Sequence, residues 1–307
     1  MDLSSINPVL LVASIMVSAT PILLAAIGEM VVERAGVLNL GVEGMMITGA
    51  VVGFAVAINT GNPALGFAAA ALASAVLSLS FGVLTQLLLS NQVATGLGLT
   101  LVGLGLSSLI GKPYEGMKSP TLPKLDMGFL SDLPVVGRML FSHDLMVYLS
   151  LALVIVVWAV LKYTRIGLIL RAVGENHDAA HALGYKVVRI RMMAIFFGGA
   201  CAGLGGAYLS LVRVPQWTEG MTAGAGWIAL AIVVFASWRA GRVAIGAYLF
   251  GGVTVLQLNL QAAGAAVPVA LLSASPYLMT ILVLVFISAR GAHGAPASLG
   301  RPFHASA

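Results

Sequence analysis

Apolar residues run along this chain in long blocks separated by short polar or glycine-rich stretches. The blocks are Pro8–Ile27, Gly44–Ile58, Ala64–Leu89, Ala94–Ile110, Leu145–Leu161, Met192–Leu211, Ala223–Ser237, Ala244–Leu260 and Ala270–Ser288. A bilayer core about 30 Å thick is crossed by about 20 apolar residues of helix, so each block predicts a membrane helix. The expected fold is all-α: a polytopic transmembrane helical bundle of about nine spans, one domain over residues 1–307. The first block starts near Pro8 with no basic segment before it, and its Ser-Ala-Thr stretch leads into more apolar sequence. That pattern reads as a membrane helix rather than a cleaved signal.

Composition agrees and excludes the soluble classes. Hydrophobic residues make up 59% and charged residues 9%, whereas a soluble globule carries about a quarter of its residues charged. The 36 glycines fit membrane helices, where glycine is commoner than in soluble ones. The net charge of +5 does not point to nucleic acid, because the basic residues gather at the ends of apolar blocks and in one loop. The single cysteine, Cys201, lies inside an apolar block, so neither a disulfide framework nor a cysteine metal site is available.

The polar stretches set an orientation. Lys112–Asp144 is long and balanced, with Lys112, Lys118, Lys124 and Arg138 against Glu115, Asp126, Asp132 and Asp144. The connection 162–191 is strongly basic, through Lys162, Arg165, Arg171, Lys186, Arg189 and Arg191, and Arg239, Arg242, Arg290 and Arg301 follow. Cytoplasmic loops carry the Lys/Arg excess. The expectation is therefore a cytoplasmic loop at about 164–191, a cytoplasmic C-terminus, an external loop at about 112–144 and an external N-terminus.

Two segments carry more than topology. Between the first two blocks, residues 28–44 hold Glu29, Glu33, Arg34, Asn39 and Glu43 among Gly36, Gly41 and Gly44. Glycine permits left-handed backbone and close approach, which predicts a broken or re-entrant segment; an ordinary solvated turn is the alternative. In the basic loop, Asn176 is a good N-cap for a short helix through Ala179, Ala180, Ala182 and Leu183 that Gly184 ends. Such a helix suits docking to a soluble partner, or lying on anionic lipid. His177 and His181 share a helix face, but a catalytic zinc needs three protein ligands and His143, His293 and His304 lie elsewhere. Neither a metal nor a cofactor is expected.

Few polar residues interrupt the spans: Gln86, Asn91, Gln92, Gln257, Asn259 and Gln261. Side chains of this kind either join helices or line a path. Asn39, Glu43, Gln257 and Gln261 are the candidates for a path. The glycine-rich openings at 36–46 and 220–231 also echo each other in opposite directions, as inverted repeats do around a substrate site.

Through both segments the chain resembles the permeases of branched-chain amino acid, ribose and nucleoside ABC importers, over nearly its whole length. The stretch Glu33-Arg-Ala-Gly-Val-Leu-Asn-Leu-Gly-Val-Glu-Gly-Met-Met46 is most similar to the shorter permease of the nucleoside, simple-sugar-like branch. The resemblance implies that Gly174, Glu175, Asn176, Ala179, Ala180 and Gly184 belong to a cytoplasmic loop coupling the permease to an ATPase. It also implies an ATP-binding subunit with duplicated cassettes, a second permease and a periplasmic or lipoprotein substrate-binding protein in a bacterial inner membrane. One departure stands out: the turn after Trp238 reads Arg239-Ala-Gly-Arg242, where the family tends to carry Pro or Asn. The first helix of the ribose-type permeases has no counterpart here.

The expected function is transport of a small polar solute, a nucleoside first and a simple sugar or branched-chain amino acid second. No Gly-x-x-x-x-Gly-Lys-Ser/Thr motif occurs, so ATP hydrolysis belongs to another subunit. A secondary transporter would place ionisable or sodium-binding residues deep in the spans. A membrane enzyme would need a catalytic constellation, for which His177 and His181 alone are too few.

Overall fold

Every apolar block forms a helix in the computed structural model, which describes residues 8–125, 128, 136–263, 268–289 and 294–304. Asp126, Asp132, Arg290 and His293 lie outside the described residues, as does the side chain of Arg138. The helices are α1 (Pro8–Arg34), α2 (Val42–Thr60), α3 (Pro63–Gly82), α4 (Gln92–Gly111), α5 (Val136–Leu140), α6 (Leu145–Tyr163), α7 (Arg165–Glu175), α8 (His177–Ala182), α9 (Val187–Tyr208), α10 (Ala225–Phe235), α11 (Ala240–Ala262) and α12 (Val269–Ala289). Among the described residues, seven helices are long and apolar enough to cross a membrane: α1 to α4, α6, α9 and α11.

The block Ala223–Ser237 differs from expectation. Its helix, α10, has 11 residues and rises about 17 Å, half a bilayer. Backbone conformation stops it at both ends. Gly220, Ala223 and Gly224 take φ of +67°, +44° and +85°, and Ser237 and Trp238 take +50° and +54°. Right-handed helix is impossible at those residues.

The break near 28–44 is also shorter than the glycine pattern suggests. Helix α1 continues unbroken to Arg34, and only residues 35–41 leave the helical path, with Gly36 at φ +85°. Glu29 and Glu33 are therefore helical residues with 1% and 0% exposure, not loop residues in solvent. Glu33 accepts a hydrogen bond from Trp238 Nε1. Beside it the Arg34 guanidinium donates twice to the Trp238 carbonyl, at 3.1 and 2.9 Å. These contacts hold the end of α1 against the turn that departs from the family pattern.

Helix α9 is the axis of the bundle, packed against α1, α2 and α3. Its glycines allow that. A Cβ on Gly206 would stand 1.8 Å from the Met46 carbonyl oxygen, and one on Gly203 2.4 Å from that of Ala70. Without a hydrophobic drive between helices in lipid, close backbone approach is the main source of packing attraction. Side-chain caps fix where helices start. Asn62, Asn91, Thr164 and Asn176 each accept a backbone N–H from the first turn of α3, α4, α7 and α8. Asp144 caps α6 through Met146 and Val147 N–H, and its other oxygen accepts the Tyr208 hydroxyl at 2.8 Å.

The connectivity gives the bundle two ends. One carries the 35–41 break, α7, α8 and the start of α9; the other carries the 112–144 loop and the end of α9.

Candidate functional site

The two glycine-rich openings meet inside the bundle. Glu43, in the first turn of α2, reaches the start of α10. Its Oε1 accepts the Thr222 hydroxyl at 2.6 Å and Gly224 N–H at 2.9 Å, and its Oε2 accepts Gly226 N–H at 2.7 Å. Free N–H groups at a helix start attract negative charge. A carboxylate from α2 satisfies them here, where water would otherwise be needed. Trp227 Nε1 donates to the Leu40 carbonyl at 3.2 Å, a second tie between the segments. Asn39 is buried; its Oδ1 accepts Gly41 N–H at 3.0 Å, shaping the turn that delivers Glu43.

A cavity of about 1310 Å³ lies on the other side of the residues that Glu43 holds. Thr222, Ala223, Ala225 and Ile228 form one wall, and α1, α11 and α12 contribute the others. Thr121, Leu122 and Lys124 of the long loop also line it, so the cavity belongs to the end of the bundle away from α8. Its polar lining combines the uncharged Ser14, Ser18, Thr222, Thr254, Gln257 and Tyr277 with Lys124, His143, Asp144 and Arg213 near the long loop. The Ser18 hydroxyl is 4% exposed as a residue and has no hydrogen-bond partner. Phe250 and Tyr277 face the cavity as an edge-to-face pair with ring centroids 6.2 Å apart.

At the opposite end, α8 forms as its residues predict. Asn176 Oδ1 accepts Ala179 N–H at 2.9 Å. The helix closes with Gly184 N–H to His181 O at 2.8 Å and Tyr185 N–H to Ala180 O at 3.1 Å, Gly184 standing at φ +87°. That pair of bonds is the Schellman arrangement, which needs the left-handed residue.

Beneath α8 lies Arg191, with 0% exposure, which the charge pattern places in the solvated basic loop. Its guanidinium donates to Ala35 O at 3.1 Å, Gln86 Oε1 at 3.3 Å and Arg301 O at 3.1 Å, and contacts His177 Nδ1 at 3.1 Å. One side chain thus joins the break, the turn that follows α3, the C-terminal segment and α8. As acceptor of an arginine N–H, His177 is held neutral at Nδ1. Burial and the neighbouring Arg191 push its pKa below the ordinary imidazole value.

The path and coupling candidates are distributed as follows. Of the path candidates, Gln257 lines the cavity, and Glu43 stands directly behind its Thr222 wall. Asn39 and Gln261 are not lining residues, and Gln261 Nε2 is buried without a partner. Of the coupling candidates, Glu175, Asn176, Ala179 and Gly184 are exposed, while Gly174 and Ala180 face inward. A Cβ on Gly174 would stand 2.0 Å from the Arg34 carbonyl oxygen, so α7 lies directly on the end of α1. The remaining polar residues join elements: Gln86 takes Arg191, Gln92 Oε1 takes Leu38 N–H at 2.8 Å, and Asn91 caps α4. Arg191, Thr222 and the C-terminal segment escaped the sequence reading. The position of Arg191 immediately before the apolar block Met192–Leu211 was the one available signal.

Residues 11–287 match the family described as branched-chain amino acid transport system, permease component. The chain is 42% identical to a Haloferax volcanii protein named "putative glucose ABC transporter permease protein TsgC13", with 88% of each chain covered. It is 31% identical to the guanosine ABC transporter permease NupQ of Bacillus subtilis, over 99% of this chain and 98% of that one. It is 30% identical to the nucleoside ABC transporter permease NupC of Lactococcus lactis, over 90% and 91%. No solved structure matches the chain.

Proposed function

We propose that this chain, which belongs to the family of permease components of branched-chain amino acid transport systems, carries a neutral, hydroxyl-rich solute: a nucleoside first, a simple sugar second. The observation that carries the reading is the cavity, where hydroxyl and amide groups stand beside the Phe250–Tyr277 pair, and where Asp144, one of its charged lining residues, is already engaged by Tyr208 and the start of α6. Hydroxyls and amides suit sugar hydroxyls, and aromatic faces suit a nucleobase. Half-helix N-termini in transporters often receive an anionic substrate group; here Glu43 already occupies that of α10, which disfavours an amino acid carboxylate. The names of the relatives, guanosine, nucleoside and glucose, point the same way.

In this reading an ATP-binding subunit docks on α8, a second permease completes the path, and a substrate-binding protein delivers the solute. The α8 end is cytoplasmic and the 112–144 loop is external in a bacterial inner membrane, following the basic excess of the loops. A push on α8 has a continuous route to the cavity. It passes through Gly174 on Arg34 and Arg191 on Ala35 into the break, then through Glu43 to Thr222 and the cavity wall. Packed elements of this kind move between discrete arrangements rather than bending continuously.

The test is ATP hydrolysis by the complete complex in vesicles, with its binding protein and guanosine, glucose or leucine in turn. Stimulation by guanosine, or by glucose alone, supports a hydroxyl-rich solute and decides between the two. Stimulation by leucine alone would refute it.

A further inference from the structure

The C-terminal segment is not needed to cross a membrane, yet it is built into the α8 end of the bundle. Ser298 N–H donates to Gly174 O at 2.9 Å, and Gly300 N–H donates to Gly36 O at 3.2 Å. Ser298 Oγ accepts His177 N–H at 3.3 Å and lies 3.3 Å from Glu175 O, to which it donates. The Arg301 carbonyl accepts Arg191. Phe303 is 5% exposed and closes a small apolar cluster with Val173, Ala180 and Val187. Its ring meets the edges of both His177 and His181, with centroids 5.4 and 5.2 Å away.

A helix of six residues is too short to persist alone, because nucleation outweighs so few hydrogen bonds. Packing must hold it. On its inner side α8 touches α7, α9 and the C-terminal segment. Ala180 and His177, the buried residues of α8, face Phe303 or Arg191. The exposed side, with Ala179 and Leu183, is left free for a partner.

We propose that residues 296–303 are a strap that positions α8 for ATPase coupling, with Phe303 and Ser298 as its positioning residues. The inference rests on α8 being the docking helix. The strap joins α8 to both the 35–41 break and Arg191, so α8 and the break move as one body. Without it, α8 still docks, but less of its displacement reaches the break, because only the Gly174–Arg34 packing and the His177–Arg191–Ala35 contacts remain to pass it on.

The test uses the complete complex in vesicles, with Phe303→Ala, Ser298→Ala and the volume-preserving Phe303→Leu. Phe303→Ala should lower the ratio of solute-stimulated to basal ATP hydrolysis by about tenfold, while the ATPase still co-purifies; Phe303→Leu should restore most of that ratio. Hydrogen exchange on the full-length permease without the ATPase is the second readout. There Phe303→Ala should speed exchange of the Ala179, Ala180 and Leu183 amides about tenfold and leave mid-α9 unchanged. Unchanged exchange in α8 overturns the strap whatever the ATPase does. If mid-α9 is also released by Phe303→Ala, Ser298→Ala decides: α8 exchange unchanged in that variant overturns the strap. Altered α8 exchange with normal coupling in every variant overturns the positioning role. Normal coupling in Ala179→Trp as well would instead remove α8 as the docking site, a separate failure.

Discussion

Replacing Glu43 probes the join between the two glycine-rich openings most directly. In Glu43→Ala, the Thr222 hydroxyl and the Gly224 and Gly226 N–H groups lose their acceptor together. Hydrogen bonds to a charged group contribute about 1.5–3 kcal/mol each, and stranded buried donors cost about 1–3 kcal/mol each. The sum overstates the effect, because Thr222 lines the cavity and water can reach it. A loss of about 3–5 kcal/mol is expected, at the upper end for single substitutions. Glu43→Gln separates the contacts. Its one oxygen can keep Thr222 and Gly224, which share Oε1, while its amide nitrogen faces the Gly226 N–H. That variant should lose about 1–3 kcal/mol, from one stranded donor. Denaturation in detergent, followed by tryptophan fluorescence, reads both losses, since Trp227 reports on α10 itself. Transport should fall in the same order, because the displaced residues form the cavity wall. Stability of Glu43→Ala within about 0.5 kcal/mol of the parent would refute the reasoning, as that is the scatter of ordinary surface substitutions.

Three further outcomes follow from other contacts. His177 has its pKa lowered by burial and Arg191, with Arg301 adding and Asp178 opposing; its neutral form therefore stabilises α8 fully above the ordinary imidazole value, and the contribution is lost as pH falls through the lowered one. The protection of the α8 amides, corrected for the pH dependence of intrinsic exchange, should fall as pH drops below the ordinary imidazole value, and that response should vanish in His177→Gln. Gly206→Val should lower the unfolding free energy by about 3 kcal/mol, because its side chain meets the Met46 carbonyl rather than a movable neighbour; a Val variant as stable as the parent would show that α2 and α9 are not in backbone contact. Gln257→Cys, in a Cys201→Ser background, should react with a small water-soluble thiol reagent, since Gln257 lines the cavity. Failure to react with and without ATP would remove it from the path.

How far the sequence reaches depends on the range of the interaction behind each feature. Apolar block length determined the helices, because a chain in lipid must satisfy its backbone internally. Local chemistry determined α8: Asn176 caps it and Gly184 ends it through contacts spanning a few residues. The meeting of the two glycine-rich openings was legible only as an echo in composition. That Glu43 caps α10, at a separation of 183 residues for Gly226, was decided by the tertiary structure. So was the half length of α10, set by left-handed residues on both sides that include Ala223, Ser237 and Trp238, types that do not advertise such backbone. Arg191 is the clearest case. By charge it belongs with the solvated arginines of its loop, yet it is buried because four acceptors from distant elements converge on its guanidinium. A sequence states that an arginine stands at a helix start. Whether water or protein completes its hydrogen bonds depends on which carbonyls folding brings there, and only the assembled bundle contains them.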